Sequence, residues 1–220
     1  IRQESTTHGK VLELISETTG ALPSTYASLS NEEKIKLLTN VSVSLEELRT
    51  ENAVFADTLA SVKAIKTIQD FNGEAGCNRY IISQCNSALN VLEVFGRCLL
   101  GGWKKEELTV DIVPLFETID DLQNANDVVK QLYSNETYAA HLKRRGNKQT
   151  IMLGFSDGTK DGGYLMANWS IYKAKEELTA ISRQYNIEVI FFDGRGGPPS
   201  RGGGKTHKFY ASMGQNISNK

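Results

Sequence analysis

The sequence is poor in the features that would indicate a disulfide scaffold, a membrane protein or a nucleic-acid-binding protein. Only three of its 220 residues are cysteines, an odd number without C-x-x-C spacing, which predicts buried free thiols in a reducing compartment. Basic and acidic residues nearly balance, 25 against 26, so no global field attracts nucleic acid or an anionic membrane. Apolar runs stay below the roughly 20 residues that span a bilayer, and no signal-peptide pattern opens the chain. We therefore expect a cytoplasmic globular protein.

The first third of the chain predicts mostly helices. Thr6 or Thr7 is suited to cap a first helix, and capping-box patterns begin at Ser30 and at Ser44. Residues 57–70 form a longer helical stretch. Residues 1–75 are therefore expected to be mostly helical.

Short apolar runs alternate with helical stretches in the rest of the chain, residues 76–220. The strand candidates are residues 80–84, 110–116, 150–154 and 187–192, and the helical stretches between them are 86–101, 124–134 and 163–185. This alternation predicts βα units and a parallel sheet. We expect a helix-rich α/β fold in which residues 1–220 belong to one domain.

Charged side chains follow three of the predicted strands. Glu117 comes directly after the second strand, Asp157 and Lys160 follow the third, and Arg195 and Arg201 follow the fourth. Because the carboxyl ends of parallel strands share one edge of a sheet, we expect these side chains to surround one mouth. Two carboxylates from different strands suit Mg²⁺ or Mn²⁺, and the arginines would hold an anionic ligand that the metal also touches.

The last strand runs into a glycine-rich loop that carries Arg195, Arg201 and Lys205. Glycine allows close backbone approach, and arginine supplies planar donors that match phosphate, carboxylate or bicarbonate. The end of the loop resembles a P-loop, but that motif requires a glycine where this chain has Pro199, which argues against a nucleoside-triphosphate site. The loop is therefore expected to be a cradle for a small anion.

Each of these features also has a simpler explanation when taken alone. Glu117 can be a first-turn helix carboxylate, Asp157 a turn residue, and the glycine-arginine loop a segment that binds RNA. Their occurrence at equivalent strand ends favours a functional site over these separate explanations.

Several segments together resemble phosphoenolpyruvate carboxylase. They are residues 2–5 (RQES), 114–122 (PLFETIDDL), 154–161 (GFSDGTKD), 194–197 (GRGG) and 201–204 (RGGG). They occur in the order and at the separations of that family, and the resemblance runs over essentially the whole chain. The family's polypeptide is several-fold longer, so the resemblance implies an internal fragment from its central region.

The resemblance implies an enzyme that joins bicarbonate to phosphoenolpyruvate, giving oxaloacetate and inorganic phosphate with Mg²⁺ or Mn²⁺. It implies a partial parallel TIM-type barrel with flanking helices, and a homotetramer as the parent protein. In that family, phosphate is first transferred to bicarbonate, forming carboxyphosphate and the enolate of pyruvate, and the enolate then attacks the released carbon dioxide.

Position by position, the resemblance also implies roles for individual residues. Glu117 and Asp157 match the metal-binding carboxylates, Arg2 and Arg195 match arginines that hold the substrate phosphate, and Lys160 lies in the same matched loop as a catalytic candidate.

The resemblance implies roles for the glycine-rich loop as well. Arg201 matches the arginine that acts on the bicarbonate-derived intermediate, and it is also implied to contact an aspartate or malate inhibitor. Gly196 and Gly197 belong to the same substrate-binding motif.

Two departures from the family pattern affect this loop. Many members have histidine where this chain has Asp193, which removes a donor and adds a negative charge beside the arginines. Pro198 and Pro199 replace smaller or aliphatic residues, so we expect a stiffer loop.

The family's histidine-containing catalytic motif, its later substrate-binding arginine and its C-terminal inhibitor-binding elements are absent from these 220 residues. We therefore expect the isolated chain to be inactive. Two alternatives stay open: another metal-dependent barrel enzyme acting on a phosphorylated enol or keto acid, and a non-enzymatic anion or RNA binder that uses the glycine-arginine loop.

Overall fold

The computed structural model describes residues 2–45, 50–194 and 205–215. Its elements in chain order are β1 (Arg2–Glu4), α1 (Ser5–Thr18), α2 (Asn31–Leu38), α3 (Ala53–Asn72), β2 (Arg79–Ser83), α4 (Ala88–Leu100), β3 (Asp111–Phe116), α5 (Ile119–Ser134), α6 (Glu136–Arg144), β4 (Lys148–Gly154), α7 (Ser156–Gln184), β5 (Glu188–Gly194) and α8 (Thr206–Ala211). The described part of the chain is therefore rich in helix and has five strands.

The five strands form one parallel sheet in the order in which they occur along the chain. Each strand pairs with the next, from Arg2 opposite Ile81 at one edge to Gly154 opposite Gly194 at the other. Within the described residues β5 does not pair with β1, so the sheet is open and a closed barrel is not seen. Since all strands run the same way, their carboxyl ends meet at one edge.

All four predicted strands are confirmed to within about two residues, and the predicted parallel sheet is present. The prediction missed β1, whose three residues are too few to give a periodic pattern, and α6, which follows α5 after one residue. The predicted capping box at Ser30 is present, with the Glu33 side chain accepting from the Ser30 backbone N–H. The one predicted at Ser44 reaches residues outside the described range.

The helix predicted to begin at 163 begins earlier, at Ser156. Residue Gly163 interrupts it with φ 78° and ψ 170°, a conformation open to glycine, so α7 consists of a short first segment and a long second one. The periodic apolar pattern belongs to the second segment only, which explains why the prediction missed the first.

The hydrophobic core has two parts. The larger part packs the sheet against α4, α5 and α7, with Phe95, Phe116 and Leu178 among its fully buried members. The smaller part joins α1 and α2 to the outer face of α4 through Leu12 and Leu38. None of the helices in the described ranges is long and apolar enough to cross a membrane.

All three cysteines are free thiols, and two of them, Cys85 and Cys98, are buried as predicted. Burial raises the pKa of both thiols to about 12, so they remain protonated at neutral pH. Cys77 is only partly buried.

Helices α1 and α4 also bury ionisable side chains. Arg97 donates from Nη2 to the Tyr80 hydroxyl at 2.8 Å, and His8 packs against the same Tyr80 ring. Burial, reinforced by the charge of Arg97, lowers the pKa of His8 to about 2, so this imidazole is neutral. Burial also raises the pKa of Glu93, on the same helix as Arg97, to about 7.

The raised pKa of Glu93 makes stability depend on pH. Between its ordinary value of 4.5 and about 7 the folded chain holds a proton that the unfolded chain releases, so this carboxyl lowers the free energy of unfolding as pH rises through that window. Glu93→Gln removes this pH dependence. We expect the free energy of unfolding of the variant, relative to wild type, to be higher at pH 8 than at pH 5 by up to about 3 kcal/mol. Urea denaturation at a series of pH values measures this difference.

The exposed Glu32→Gln variant controls for the loss of one negative charge. A stability difference between wild type and Glu93→Gln that stays constant from pH 5 to pH 8 would contradict the prediction.

Candidate active site

A cleft of about 660 Å³ lies at the carboxyl ends of the strands. Its lining residues are Arg2, Leu115, Glu117, Met152, Gly154, Phe155, Ser156, Asp157, Lys160, Phe192, Asp193 and Gly194. Four residues predicted to share a site, Arg2, Glu117, Asp157 and Lys160, therefore do line one cavity. Arg2 is the first residue of β1, Glu117 directly follows β3, and Asp157 and Lys160 lie in the first turns of α7.

Glu117 lies at the junction of three strand ends. Its Oε1 accepts from Nη2 of Arg2 at 2.8 Å, and its Oε2 accepts from the backbone N–H of Gln84 at 3.2 Å. Gln84, directly after β2, has a left-handed φ of 53°. The Glu117 side chain is only 11% exposed, whereas that of Arg2 is 54% exposed. The carboxylate is therefore held from both sides while the guanidinium remains accessible from solvent.

The end of β4 comes very close to Glu117. A Cβ atom on Gly154 would lie 3.0 Å from Cγ and 3.1 Å from Cα of Glu117. These distances are shorter than ordinary van der Waals contact. The absence of a side chain at Gly154 therefore lets the two strand ends approach each other.

Hydrogen bonds at the start of α5 fix the backbone around Glu117. Thr118 caps the helix by accepting from the N–H of Asp121, and the Asp121 carboxylate accepts in return from the N–H groups of Thr118 and Glu117. The Asp161 carboxylate accepts from the N–H of Ile119 at 3.2 Å, which joins the first segment of α7 to the start of α5. Glu117 is therefore held through its backbone as well as through its side chain.

Asp157 and Lys160 lie one helical turn apart at the start of α7. Lys160 Nζ is 2.9 Å from Asp157 Oδ1, and the two side chains are 78% and 47% exposed. An ion pair this exposed contributes little to stability. Both groups are consequently available to a ligand in the cleft.

Asp193, the residue expected to add a negative charge to the site, is paired. Its carboxylate lies against Nζ of Lys175, 2.8 Å from Oδ1 and 2.9 Å from Oδ2, with hydrogen-bond geometry met at Oδ2. Lys175 was missed by the sequence reasoning, although a signal was present. It follows Ile171 by four residues and precedes Leu178 by three, so a lysine occupies the apolar face of α7.

Most of the glycine-rich loop lies outside the part of the chain that the structure describes. Arg195, Gly196, Gly197 and Arg201 lie outside the described residues. Lys205, at the start of the next described range, is exposed.

Two carboxylates of the cleft are of the kind that binds a hard divalent cation. The described residues contain no group of three or more metal-ligating side chains such as a zinc site would supply. Glu117 and Asp157 supply carboxylate oxygens to one cavity, and Mg²⁺ is commonly bound by one or two carboxylates with water and substrate oxygens completing its shell.

The close approach at Gly154 yields a testable expectation. Gly154→Ala should displace Glu117, weaken its bond to Arg2 and lower the free energy of unfolding by about 1–3 kcal/mol. Gly158→Ala, in the first turn of α7, is the matched control because its Cβ would be 3.3 Å from the nearest atom, the Glu117 carbonyl oxygen. Urea denaturation compares the two, and an equal effect of both would contradict the proposed role of Gly154.

The chain is similar to known proteins of one family. A family model described as phosphoenolpyruvate carboxylase matches residues 1–215. A phosphoenolpyruvate carboxylase of Trichormus variabilis is 33% identical over 257 aligned residues, covering 100% of this chain and 25% of that protein. One of Corynebacterium diphtheriae is 36% identical over 225 residues, covering 94% of this chain and 24% of the relative. One of a Nostoc species is 33% identical over 261 residues, again covering 100% and 25%.

The match includes both the helical first third and the sheet that forms the cleft. The chain spans about a quarter of the length of these relatives. The chain belongs to the phosphoenolpyruvate carboxylase family.

Proposed function

We propose that this chain forms part of the active-site region of an enzyme that joins bicarbonate to phosphoenolpyruvate, giving oxaloacetate and inorganic phosphate. The observation that carries the proposal is the Arg2–Glu117 contact. Residues 115 positions apart meet at 2.8 Å inside a cleft that Asp157 and Lys160 also line. This cleft joins two carboxylates suited to a metal with two cations suited to an anion, as the substrates of this reaction require.

We also propose that the open sheet is a segment of the parallel barrel expected from the family resemblance. The five parallel strands lie in strict chain order, with at least one helix between successive strands. This order supports the proposal, because a TIM-type barrel is built by repeating a strand followed by a helix. The cleft at the carboxyl ends of the strands is where such barrels carry their active sites.

In this proposal Glu117 and Asp157 hold Mg²⁺ or Mn²⁺. The cation, when bound, supplies positive charge that stabilises negative charge developing on phosphate and enolate oxygens. Glu117 is well suited to such a role, because its orientation is fixed by Arg2, by the Gln84 N–H and by close packing on Gly154.

The cations of the cleft would bind the phosphate of the substrate. Glu117 occupies one N–H of Arg2, and a guanidinium has five such donors, so others remain for a bidentate contact with phosphate. Lys160 reaches the same cavity as a flexible point charge. In this proposal, Arg195 with Gly196 and Gly197 provides further phosphate contacts. Arg201 contacts the bicarbonate-derived intermediate.

The proposed chemistry balances without any redox partner. The phosphoryl group moves from the enol oxygen of phosphoenolpyruvate to a bicarbonate oxygen, leaving the enolate of pyruvate and carboxyphosphate. Carboxyphosphate divides into carbon dioxide and phosphate, and the enolate methylene carbon forms the new bond to carbon dioxide. Negative charge develops on the enolate oxygen when the phosphoryl group leaves and ends on the new carboxylate of oxaloacetate, and fixed cations around one cleft would stabilise it throughout.

The remaining expectations belong to the parent protein as a whole. We propose a cytoplasmic homotetramer in which Arg201 also contacts an aspartate or malate inhibitor. The tetramer and the inhibitor contact rest on the family resemblance, and the location rests on the free cysteines of this chain.

The roles of the two carboxylates are testable in the complete protein that carries this chain. We expect Glu117→Gln and Asp157→Asn each to lower kcat/KM for bicarbonate-dependent oxaloacetate formation by about 100-fold or more, because each removes charge at the proposed metal site. The exposed Glu177→Gln, on the same helix as Asp157, is the matched control. Absence of oxaloacetate formation by the wild-type complete protein would defeat the proposed function.

The 220-residue chain alone should be inactive, because part of the family's catalytic machinery lies outside it. The measurement is oxaloacetate formation by the purified chain with phosphoenolpyruvate, bicarbonate and Mg²⁺. Activity that Glu117→Ala abolishes would contradict this expectation.

A further inference from the structure

The wall of the cleft formed by β5 contains an ion pair that the proposed chemistry does not use. Nζ of Lys175 lies 2.8 Å and 2.9 Å from the two oxygens of Asp193. The two side chains are only 6% and 14% exposed. Lysine is almost never this buried unless it is paired. Removing one partner of a buried pair leaves the other as an uncompensated charge.

The position of Lys175 links the core to the cleft. It lies on the apolar face of α7, which packs on β5, and its ammonium is 5.5 Å from the centre of the Phe191 ring. Asp193 pairs in register with Leu153 on β4 and is followed by Gly194, opposite Gly154. From its place on α7, Lys175 therefore holds the carboxyl end of β5, just before the glycine-rich loop begins.

The charge of Asp193 is a problem for an anion site. Glu117, Asp157 and Asp193 all line the cleft, and the first two have a proposed use as metal ligands. The third has none, and an unpaired carboxylate in a poorly solvated wall repels a phosphorylated carboxylic acid strongly. Lys175 is the cation placed to cancel that repulsion without entering the cavity, since Asp193 lines the cleft and Lys175 does not.

We propose that Lys175 is a positioning residue for substrate binding, which fixes and neutralises Asp193 so that the β5 wall of the cleft accepts an anion. The identity of the anion in this inference rests on the proposed function. The Lys175–Asp193 pairing is independent of it, because it is observed in the structure.

The test compares four forms of the complete protein: wild type, Lys175→Met, Asp193→Asn and the double variant Lys175→Met/Asp193→Asn. Methionine keeps an unbranched apolar stem without the charge, and asparagine keeps the shape of aspartate without the charge. We expect Lys175→Met to raise KM for phosphoenolpyruvate by about tenfold or more while kcat changes much less, because the exposed charge opposes binding. The double variant should return KM to within about threefold of wild type, because the repelling charge has also gone.

Lys173→Met is the matched control, since Lys173 pairs with Glu176 at 3.2 Å on the same helix and does not line the cleft. If Lys175→Met does not fold, Lys175→Gln, which keeps a hydrogen-bond donor without charge, takes its place in the comparison. An unchanged KM in the single variant overturns the proposal. So does a double variant as impaired as the single one, because a purely structural lysine would not be rescued by Asp193→Asn.

Calorimetric titration with phosphoenolpyruvate separates this inference from the proposed function. If the wild type forms no oxaloacetate, the proposed function fails. The role of Lys175 is then tested on the dissociation constant for phosphoenolpyruvate, which Lys175→Met should raise and the double variant should restore. If the wild type forms oxaloacetate but neither KM nor binding responds to Lys175→Met, only the role of Lys175 is overturned.

Discussion

A nearly buried carboxylate must be compensated where it lies, and the need to compensate Glu117 organises the whole carboxyl edge of the sheet. β1 supplies Arg2, its first residue, the residue after β2 supplies a backbone N–H, and the end of β4 supplies a glycine that leaves room. Because these contributions come from separate strands, the carboxylate is correctly held only when β1 to β4 are in register. The proposed chemistry and the sheet's alignment therefore depend on the same atoms.

The need to balance buried or clustered carboxylates also explains why the site contains ion pairs. Arg2 with Glu117 and Lys160 with Asp157 form contacts between cations and carboxylates that are suited to different ligands. With the Lys175–Asp193 pair, they leave the described part of the cleft nearly neutral in total. A strongly charged cleft would instead be destabilised by self-repulsion.

Much of this arrangement could be predicted from the sequence, and the reason is geometric. The apolar runs before Glu117 and Asp157 mark strands, and parallel strands bring their carboxyl ends together whatever the details of packing. Arg2 entered the prediction only through the family resemblance, because β1 is three residues long and no periodicity can identify so short a strand. That β1 joins the edge of the sheet depends on distant pairing with β2, which no local pattern encodes.

Pairings between side chains were the least predictable part. Asp193 could be seen as a departure from the family pattern, but its partner lies 18 positions earlier on a helix whose dominant signal is apolar. Lysine on such a face is compatible with a long side chain whose charged end reaches solvent, and only the packing of α7 on β5 distinguishes the two arrangements. The sequence thus indicated where charge would gather without indicating how it would be neutralised.

The break at Gly163 gives α7 two independent parts. The first carries Asp157, Lys160 and Asp161 at the mouth of the cleft, and the second lies along the core and carries Lys175. A continuous helix would couple any tilt of its core segment directly to the mouth. With a glycine joint between them, the core segment can repack among apolar neighbours while the residues at the mouth keep their own contacts to the start of α5. The joint therefore lets the interior of this protein change in sequence without displacing the residues at the mouth of the cleft.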